Sequence, residues 1–479
     1  MAGIIPTMVN SVLDHAFSLH GLLALLGLGV YVTGSRTLHQ RRHPSAAVAW
    51  VLALVLMPYV ALPLYLLFGN RKMVRRRERA ELAAAKGSSG AARTGPLEPL
   101  AAALGLPPPA CYARLQIHED GAAAAEALHA GIARAQREVL LSTFLYGRDA
   151  FGEALAEALA ERVAAGVRVR LLIDGVGAWL GGHPDLRRLE ARGIEVRLFV
   201  PPLRSGLRGR TNLRNHRKKV IVDGHWLWSG GRNLAAEYFT GDAHRAAWLD
   251  LSFDLEGEAA GQARALFERD WAFAQGQEPP PPMPRDAEAP GPMQRGGVVQ
   301  PCPKLQLIPS GPDQADDTLF ALLVSSFFNA RERIVAVTPY FVPDETLLLA
   351  LTLAARRGVR VSLVLPERSN HRLADLARHR ALRELAAAGA EVRLLPRMVH
   401  AKAVVVDEAL AFAGSANLDE RSLFLNFELM FAWAEPDDVR RFAAWIERQA
   451  VGAHPYHPRH PTLMREVAEG LLLWLAFQL

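Results

Sequence analysis

The chain has 479 residues, more than one domain usually holds, so two or more folding units are expected. Half of the residues are apolar and 22% are charged, which supports a large core and excludes global disorder. The net charge of +6 hints at nucleic acid, while a count of two cysteines excludes a disulfide-rich scaffold and an all-cysteine zinc site.

The first eighty residues carry two uncharged stretches, 16–35 and 46–68, each about 20 residues long and so of bilayer-spanning length. A secretory signal peptide is disfavoured, because no Lys or Arg precedes Arg36. Trp50 and Tyr65 sit towards the ends of the second stretch, as interfacial anchors do. Pro58 and Pro63 interrupt it, so a kinked or shallow hairpin is an alternative to a full span. His20 reads as a packed or hydrogen-bonded residue rather than a proton relay. Arg36, Arg41 and Arg42 lie between the stretches, and Arg71, Lys72, Arg75, Arg76, Arg77 and Arg79 follow them. The larger cluster predicts that the rest of the chain is cytoplasmic, although the turn's own arginines count the other way. Residues 1–79 carry nine bases and two acids, net +7, which leaves −1 for the other 400. The basic excess therefore belongs to a membrane-flanking segment and points to an anionic bilayer rather than nucleic acid.

Two Pro/Gly/Ser/Ala-rich segments, 80–110 and 276–303, read as linkers. They divide the chain into an anchor (1–79) and two halves, 111–275 and 304–479. The halves repeat one order of elements: an apolar strand, a helix ending at Gly166 or Gly358, and a β-rich strand, VRVRLLI or VRVSLVL. Another helix–Gly–strand unit and a His-x-Lys strand follow in each. The pattern predicts an α/β fold whose two halves form a pseudo-dimer with a site between them. The first half carries an insertion around Pro201–Arg214.

The chemistry lies in a doubled motif, HxKxxxxDxxxxxxGxxN. It gives His216, Lys218, Asp223, Gly230 and Asn233 in the first half, and His400, Lys402, Asp407, Gly414 and Asn417 in the second. Alternation along a strand puts His and Lys on one face and Asp on the other, where it braces the motif. A Lys beside a His suits an anionic group, which the ammonium binds while the imidazole does the bond-making or proton transfer. Zinc is not suited, since Lys is an ammonium and no third ligand has metal-like spacing. Asn233, Ser415 and Asn417 could donate to phosphoryl oxygens. Two histidines around one phosphate allow one to attack phosphorus and the other to protonate the leaving alkoxide.

With its doubled HKD motif the chain resembles the phospholipase D superfamily, and more closely the bacterial cardiolipin synthases. The likeness includes RRHPSAAVAWVLALVLMPYVALPLYLLFGNRK, TPYFVPDETLLLAL and GSANLDERSLFLNFE. It implies a mixed sheet flanked by helices in each half and metal-independent transphosphatidylation. The implied reaction joins two phosphatidylglycerol molecules into cardiolipin plus glycerol through a phosphatidyl-histidine. The family's acidic partner to each motif histidine maps to Asp250 in WLDLSF and Glu428 in NFELM. The resemblance casts His216 as nucleophile and His400 as general acid, then base. Gly231 stands where the family commonly has Ser, which suggests that the half-sites are not equivalent. The implied location is the bacterial inner membrane, with no nucleic-acid partner, and a homo-oligomer is compatible. Hydrolysis, transfer to another alcohol and a membrane-tethered nuclease are the rival readings.

Other features read more simply. Arg204, Arg208, Arg210, Arg214, Arg217 and Lys219 form either a solvated basic run or a head-group contact. GVGAWLGG at 175–182 lacks dinucleotide-loop spacing and reads as a turn. His225 and His244 are read as surface or structural, and Tyr146 and Tyr340 as equivalent wall or core residues. Cys111 and Cys302 suggest nothing catalytic, and the apolar C-terminus is too short to span.

Overall fold

The computed structural model describes residues 4–37, 44–69, 97–201, 211–241, 246–277, 294–295, 298–299 and 302–458, with scattered positions to 470. The basic cluster 71–79, Arg41, Arg42, Arg204, Arg208, Arg210, His244 and the terminal residues 471–479 lie outside them. The chain divides into two units. One is Met1–Gly87 with Val200–Leu213 and Pro312–Ala315; the other is Ser88–Phe199, Arg214–Gly311 and Asp316–Leu479.

The first unit has helices Ile4–Thr37, Pro44–Leu56 and Pro58–Phe68. The second apolar stretch is thus two helices, not one. They break at Met57 because Pro58 lacks an N–H and is accepted only at the start of a new helix. Leu54, Ala61 and Leu62 form the buried centre, with Leu28, Tyr31 and Leu66 against it. His20 Nε2 meets the Val55 carbonyl at 2.9 Å, as a hydrogen-bonded residue should. Among the described residues no helix is long and apolar enough to cross a membrane. Leu22 and Leu25 are nevertheless 64% and 71% exposed, and Leu52 and Leu56 also face outward.

The second unit is built on one 15-stranded sheet. Its first-half strands are β1 (Ala110–Ile117), β2 (Glu138–Thr143), β3 (Arg168–Asp174), β4 (Glu195–Phe199), β5 (Lys219–Val222), β6 (Trp226–Gly230) and β7 (Ser252–Gly257). The connection holds a two-stranded ribbon, β8 (Gln294–Arg295) and β9 (Val298–Val299). The second half has β10 (Lys304–Ser310), β11 (Arg333–Val337), β12 (Phe341–Val342), β13 (Arg360–Pro366), β14 (Glu391–Leu395), β15 (Ala403–Val406), β16 (Leu410–Gly414), β17 (Leu418–Asp419), β18 (Glu428–Trp433) and β19 (His454–Pro455). The first half runs β1-β7-β6-β5-β2-β3-β4, and the second repeats it as β10-β18-β16-β15-β11-β13-β14. β1 and β10 join the two antiparallel through two residue pairs.

The repeat has local causes. Helices Ala150–Ala164 and Glu345–Arg356 each end at a glycine, Gly166 at φ +83° and Gly358 at φ +88°, which turns the chain into β3 and β13. Each half has its own apolar core. Residues 97–106, read above as linker, contain the helix Glu98–Ala103, and Leu97, Ala101 and Leu106 join the second half's core.

The basic run is corrected where it is described. Arg217 and Lys219 are wholly buried and turned to Asp270, so neither is a solvated or head-group residue, and Arg214 is buried too, so it is not part of a solvated run. Arg217 Nη1 and Lys219 Nζ both bind buried Asp270, at 2.5 and 2.7 Å. Asp270 lies on the helix Glu258–Gln275, too far along the chain for the charge run to reveal it. Its loss would leave two buried cations without their shared acid. Asp270→Asn should therefore lower unfolding free energy by about 3–5 kcal/mol, read from denaturant titration of the full chain.

Candidate active site

His216 and His400 are brought together by two parallel bridges that cross between the halves. Asn215 bridges Phe427, the residue before Glu428. Leu249, the residue before Asp250, bridges Val399. The His216 N–H donates to the Phe427 carbonyl at 2.9 Å, and the His400 N–H to the Leu249 carbonyl at 2.7 Å. Each bridge sets a histidine of one half beside an acid of the other. His400 Nδ1 meets Asp250 Oδ2 at 2.7 Å, and His216 Nδ1 lies 3.4 Å from Glu428 Oε1. An acid at Nδ1 fixes the tautomer and aims Nε2 outward.

Alternation then works as strand geometry requires. His216 and Lys218 share the site face, while Arg217 and Lys219 turn to Asp270. Each motif lysine donates to the carbonyl of its own histidine, Lys218 to His216 at 2.9 Å and Lys402 to His400. Phe144 lies against His216 at 4.3 Å, and Tyr238 against His400 at 5.0 Å between ring centres.

Electrostatics follow from burial. It pushes His216 down to about 4 despite Glu428, and His400 down to about 3, with Lys402 adding to the effect. Burial also lowers Lys218 to about 8 and Lys402 to about 7. It pushes Asp250 and Glu428 up, but the facing histidines and lysines outweigh it and hold both below the usual carboxylate range. The resting site thus holds neutral histidines, ionised acids and lysines that lose their charge readily.

Asp223 and Asp407, read above as braces of the motif, do not touch the histidines. They sit in the hairpin turns after β5 and β15, at φ +54° and +53°. Asp223 accepts the N–H groups of Gln136, Arg137 and Glu138, and Asp407 those of Arg331, Glu332 and Arg333. Each ties its motif hairpin to the start of the neighbouring strand, β2 or β11.

Ser415 also has a different task from the phosphoryl contact expected. Its hydroxyl donates to Glu428 Oε2 at 2.5 Å and accepts the Leu429 N–H at 2.9 Å. At the matching position a Cβ on Gly231 would lie 2.2 Å from Asp250 Oδ1. The Gly/Asp and Ser/Glu combinations are therefore two packing solutions for the same task. Asn233 and Asn417 are both buried beside their motif glycines. Asn233 lies near the Tyr238 hydroxyl, and Asn417 near the Asp419 carboxylate.

Tyr146 and Tyr340 are not equivalent. Thr143 and Thr338 each bond the carbonyl two residues on, at Leu145 and Tyr340, which sets the register. Tyr146 therefore matches Phe341, and its hydroxyl donates to the Gly152 carbonyl at 2.7 Å. Arg217 is a site element that the basic run in the sequence does not reveal. Its Nε donates to the Glu428 carbonyl at 3.1 Å and its Nη2 to the Ser310 carbonyl at 3.2 Å, which anchors the acid behind His216. Among the described residues no His/Cys/Asp/Glu group could hold a metal ion.

Two outcomes follow for steady-state kinetics. Gly231→Ala should drive Asp250 off His400 and lower kcat by about 10²-fold. Ser415→Ala should cost less, because Glu428 keeps Asn426 and His216. In kcat/KM against pH, the acid limb should lie below pH 5 rather than near an ordinary histidine value, since His216, depressed by burial, stays neutral until then. The alkaline limb should begin between pH 7 and 8, where Lys402 and then Lys218 lose their charge.

A family model described as "Cardiolipin synthase, PLD-like domain" matches residues 128–271 and 323–450, and one described as "Phospholipase_D-nuclease N-terminal" matches 23–70. Cardiolipin synthase A of Pseudomonas aeruginosa is 32% identical, over 93% of each chain. The cardiolipin synthase of Geobacillus thermodenitrificans is 31% identical, over 81% of this chain and 80% of its own. The crystal structure of phosphatidylserine synthase from Haemophilus influenzae superposes with a TM-score of 0.57 at 14% identity, over 78% of this chain and 97% of that one, a likeness of fold. The chain belongs to the phospholipase D-like cardiolipin synthase family.

Proposed function

We propose that the protein is a phosphatidyltransferase that joins two phosphatidylglycerol molecules into cardiolipin and releases glycerol. The observation that carries this is the pair of histidines, each held at Nδ1 by an acid of the opposite half, with a lysine beside each. The relatives named cardiolipin synthase support the substrate class.

The steps follow from the placement. The lysines bind the non-bridging oxygens of the phosphodiester. Neutral His216 attacks phosphorus through Nε2 while Glu428 takes up the positive character at Nδ1. The phosphodiester's own negative charge raises the proton affinity of His400, which arrives protonated and gives its Nε2 proton to the departing glycerol oxygen. His400 then removes the proton from the terminal hydroxyl of a second phosphatidylglycerol. That oxygen attacks phosphorus, the P–N bond breaks, and His216 is free again. Asp250 steadies His400 in both proton transfers.

Donor, acceptor and product are lipids, so a membrane seat suits the reaction. Residues 23–70 match the N-terminal family model, and the outward leucines of the first unit suit an apolar medium. We place this hairpin in the bacterial membrane with its leucine face towards lipid.

Purified full-length protein in phosphatidylglycerol vesicles should release glycerol and cardiolipin in equal amounts. Phosphatidic acid as the sole lipid product would overturn the transferase reading in favour of hydrolysis. His216→Ala and His400→Ala should each lower turnover by about 10²–10⁴-fold or more. A wild-type rate in either would break the two-histidine scheme.

A further inference from the structure

We propose that Cys111 and Cys302 form a structural disulfide that staples the two halves at their seam, and that the catalytic unit works outside the reducing cytoplasm. The chain has two cysteines in 479 residues, and the fold brings them into bonding contact with Cα atoms 5.6 Å apart. That separation lies in the ordinary disulfide range. A residue touches roughly 6–12 others, so two positions placed without regard to each other would meet in about 2% of chains this long.

The place of the pair is informative. Cys111 lies in β1 opposite Lys304 of β10, and the Tyr112 N–H donates to the Pro303 carbonyl at 3.1 Å. β1 and β10 share two paired residues, whereas β10 and β18 share six. The cross-link therefore reinforces a short strand junction between the halves. It spans 191 residues, a loop that holds His216 and Asp250, while His400 and Glu428 lie beyond it. Each histidine depends on an acid of the other half, so a bond that limits separation of the halves protects both pairs. Cys111 is buried and Cys302 half-buried, so the bond is shielded on the Cys111 side.

Formation removes two protons and two electrons from the thiols. A thiol–disulfide exchange oxidant accepts them and becomes a dithiol. Such oxidants act outside the cytoplasm, where disulfides persist. The proposed side is the opposite of the one predicted from residues 71–79. It agrees with the turn arginines Arg36, Arg41 and Arg42 facing inward.

The test traps thiols in intact cells making the full chain, by acid quench and N-ethylmaleimide, before any exposure to air. Peptides are then weighed without reduction. The expected result is a joined Cys111–Cys302 peptide pair carrying no label. Maleimide on both cysteines would overturn the proposal. The Cys111→Ser/Cys302→Ser double variant should keep lipid turnover but melt at a lower temperature. Reductant should bring the wild-type midpoint down to that of the variant. A wild-type midpoint indifferent to reductant would overturn the staple. The labelling readout does not depend on which lipid reaction the site performs.

Discussion

A histidine that presents Nε2 to phosphorus must be held by Nδ1, and here both holders come from the opposite half. Asp250 of the first half holds His400, and Glu428 of the second holds His216. Neither half contains a complete histidine–acid pair from this set. The cross-half bridges at Asn215–Phe427 and Leu249–Val399 are therefore part of the site as well as of the fold. The continuous sheet follows the same logic, since β18 begins with Glu428, β7 begins two residues after Asp250, and the two strands flank the β1–β10 junction.

The two half-sites reach one geometry by different packing. Glu428 is long enough to take a hydroxyl from Ser415 as well as to meet His216. Asp250 is shorter, sits 2.7 Å from His400, and leaves no room for a side chain at residue 231. Behind His216 lies a buried Arg217–Asp270–Lys219 cluster. The matching positions behind His400 are Ala401 and Ala403. The two motif strands thus differ: the first carries charged residues bound to Asp270 where the second has alanines, while Arg232 lies buried near Asp250 of the other pair.

Much of this was legible in the sequence. The doubled motif spacing gave both histidines and lysines, and Gly166 and Gly358 marked the ends of paired helices. Asp250 and Glu428 were found through the family resemblance. Their exchange between halves was not legible, because distance along the chain says nothing about which half a strand end will face. Arg217 and Lys219 looked like surface because their partner, Asp270, lies on a helix some fifty residues away. Tyr146 and Tyr340 were matched by ring type, while the threonine turns set a register one residue different. Ser415 was read as a phosphate donor because its residue type fits that role, but its proton is already committed to Glu428.

The exchange of acids is the central claim, and proton NMR of the histidine Nδ1–H groups tests it most directly. Each strongly hydrogen-bonded imidazole proton should give a separate downfield signal, assigned by loss in His216→Ala or His400→Ala. Asp250→Asn should remove or shift the His400 signal and spare that of His216, and Glu428→Gln should do the reverse. If Asp250→Asn acted on His216 and left His400 unchanged, the acids would pair within their own halves and the account would be wrong.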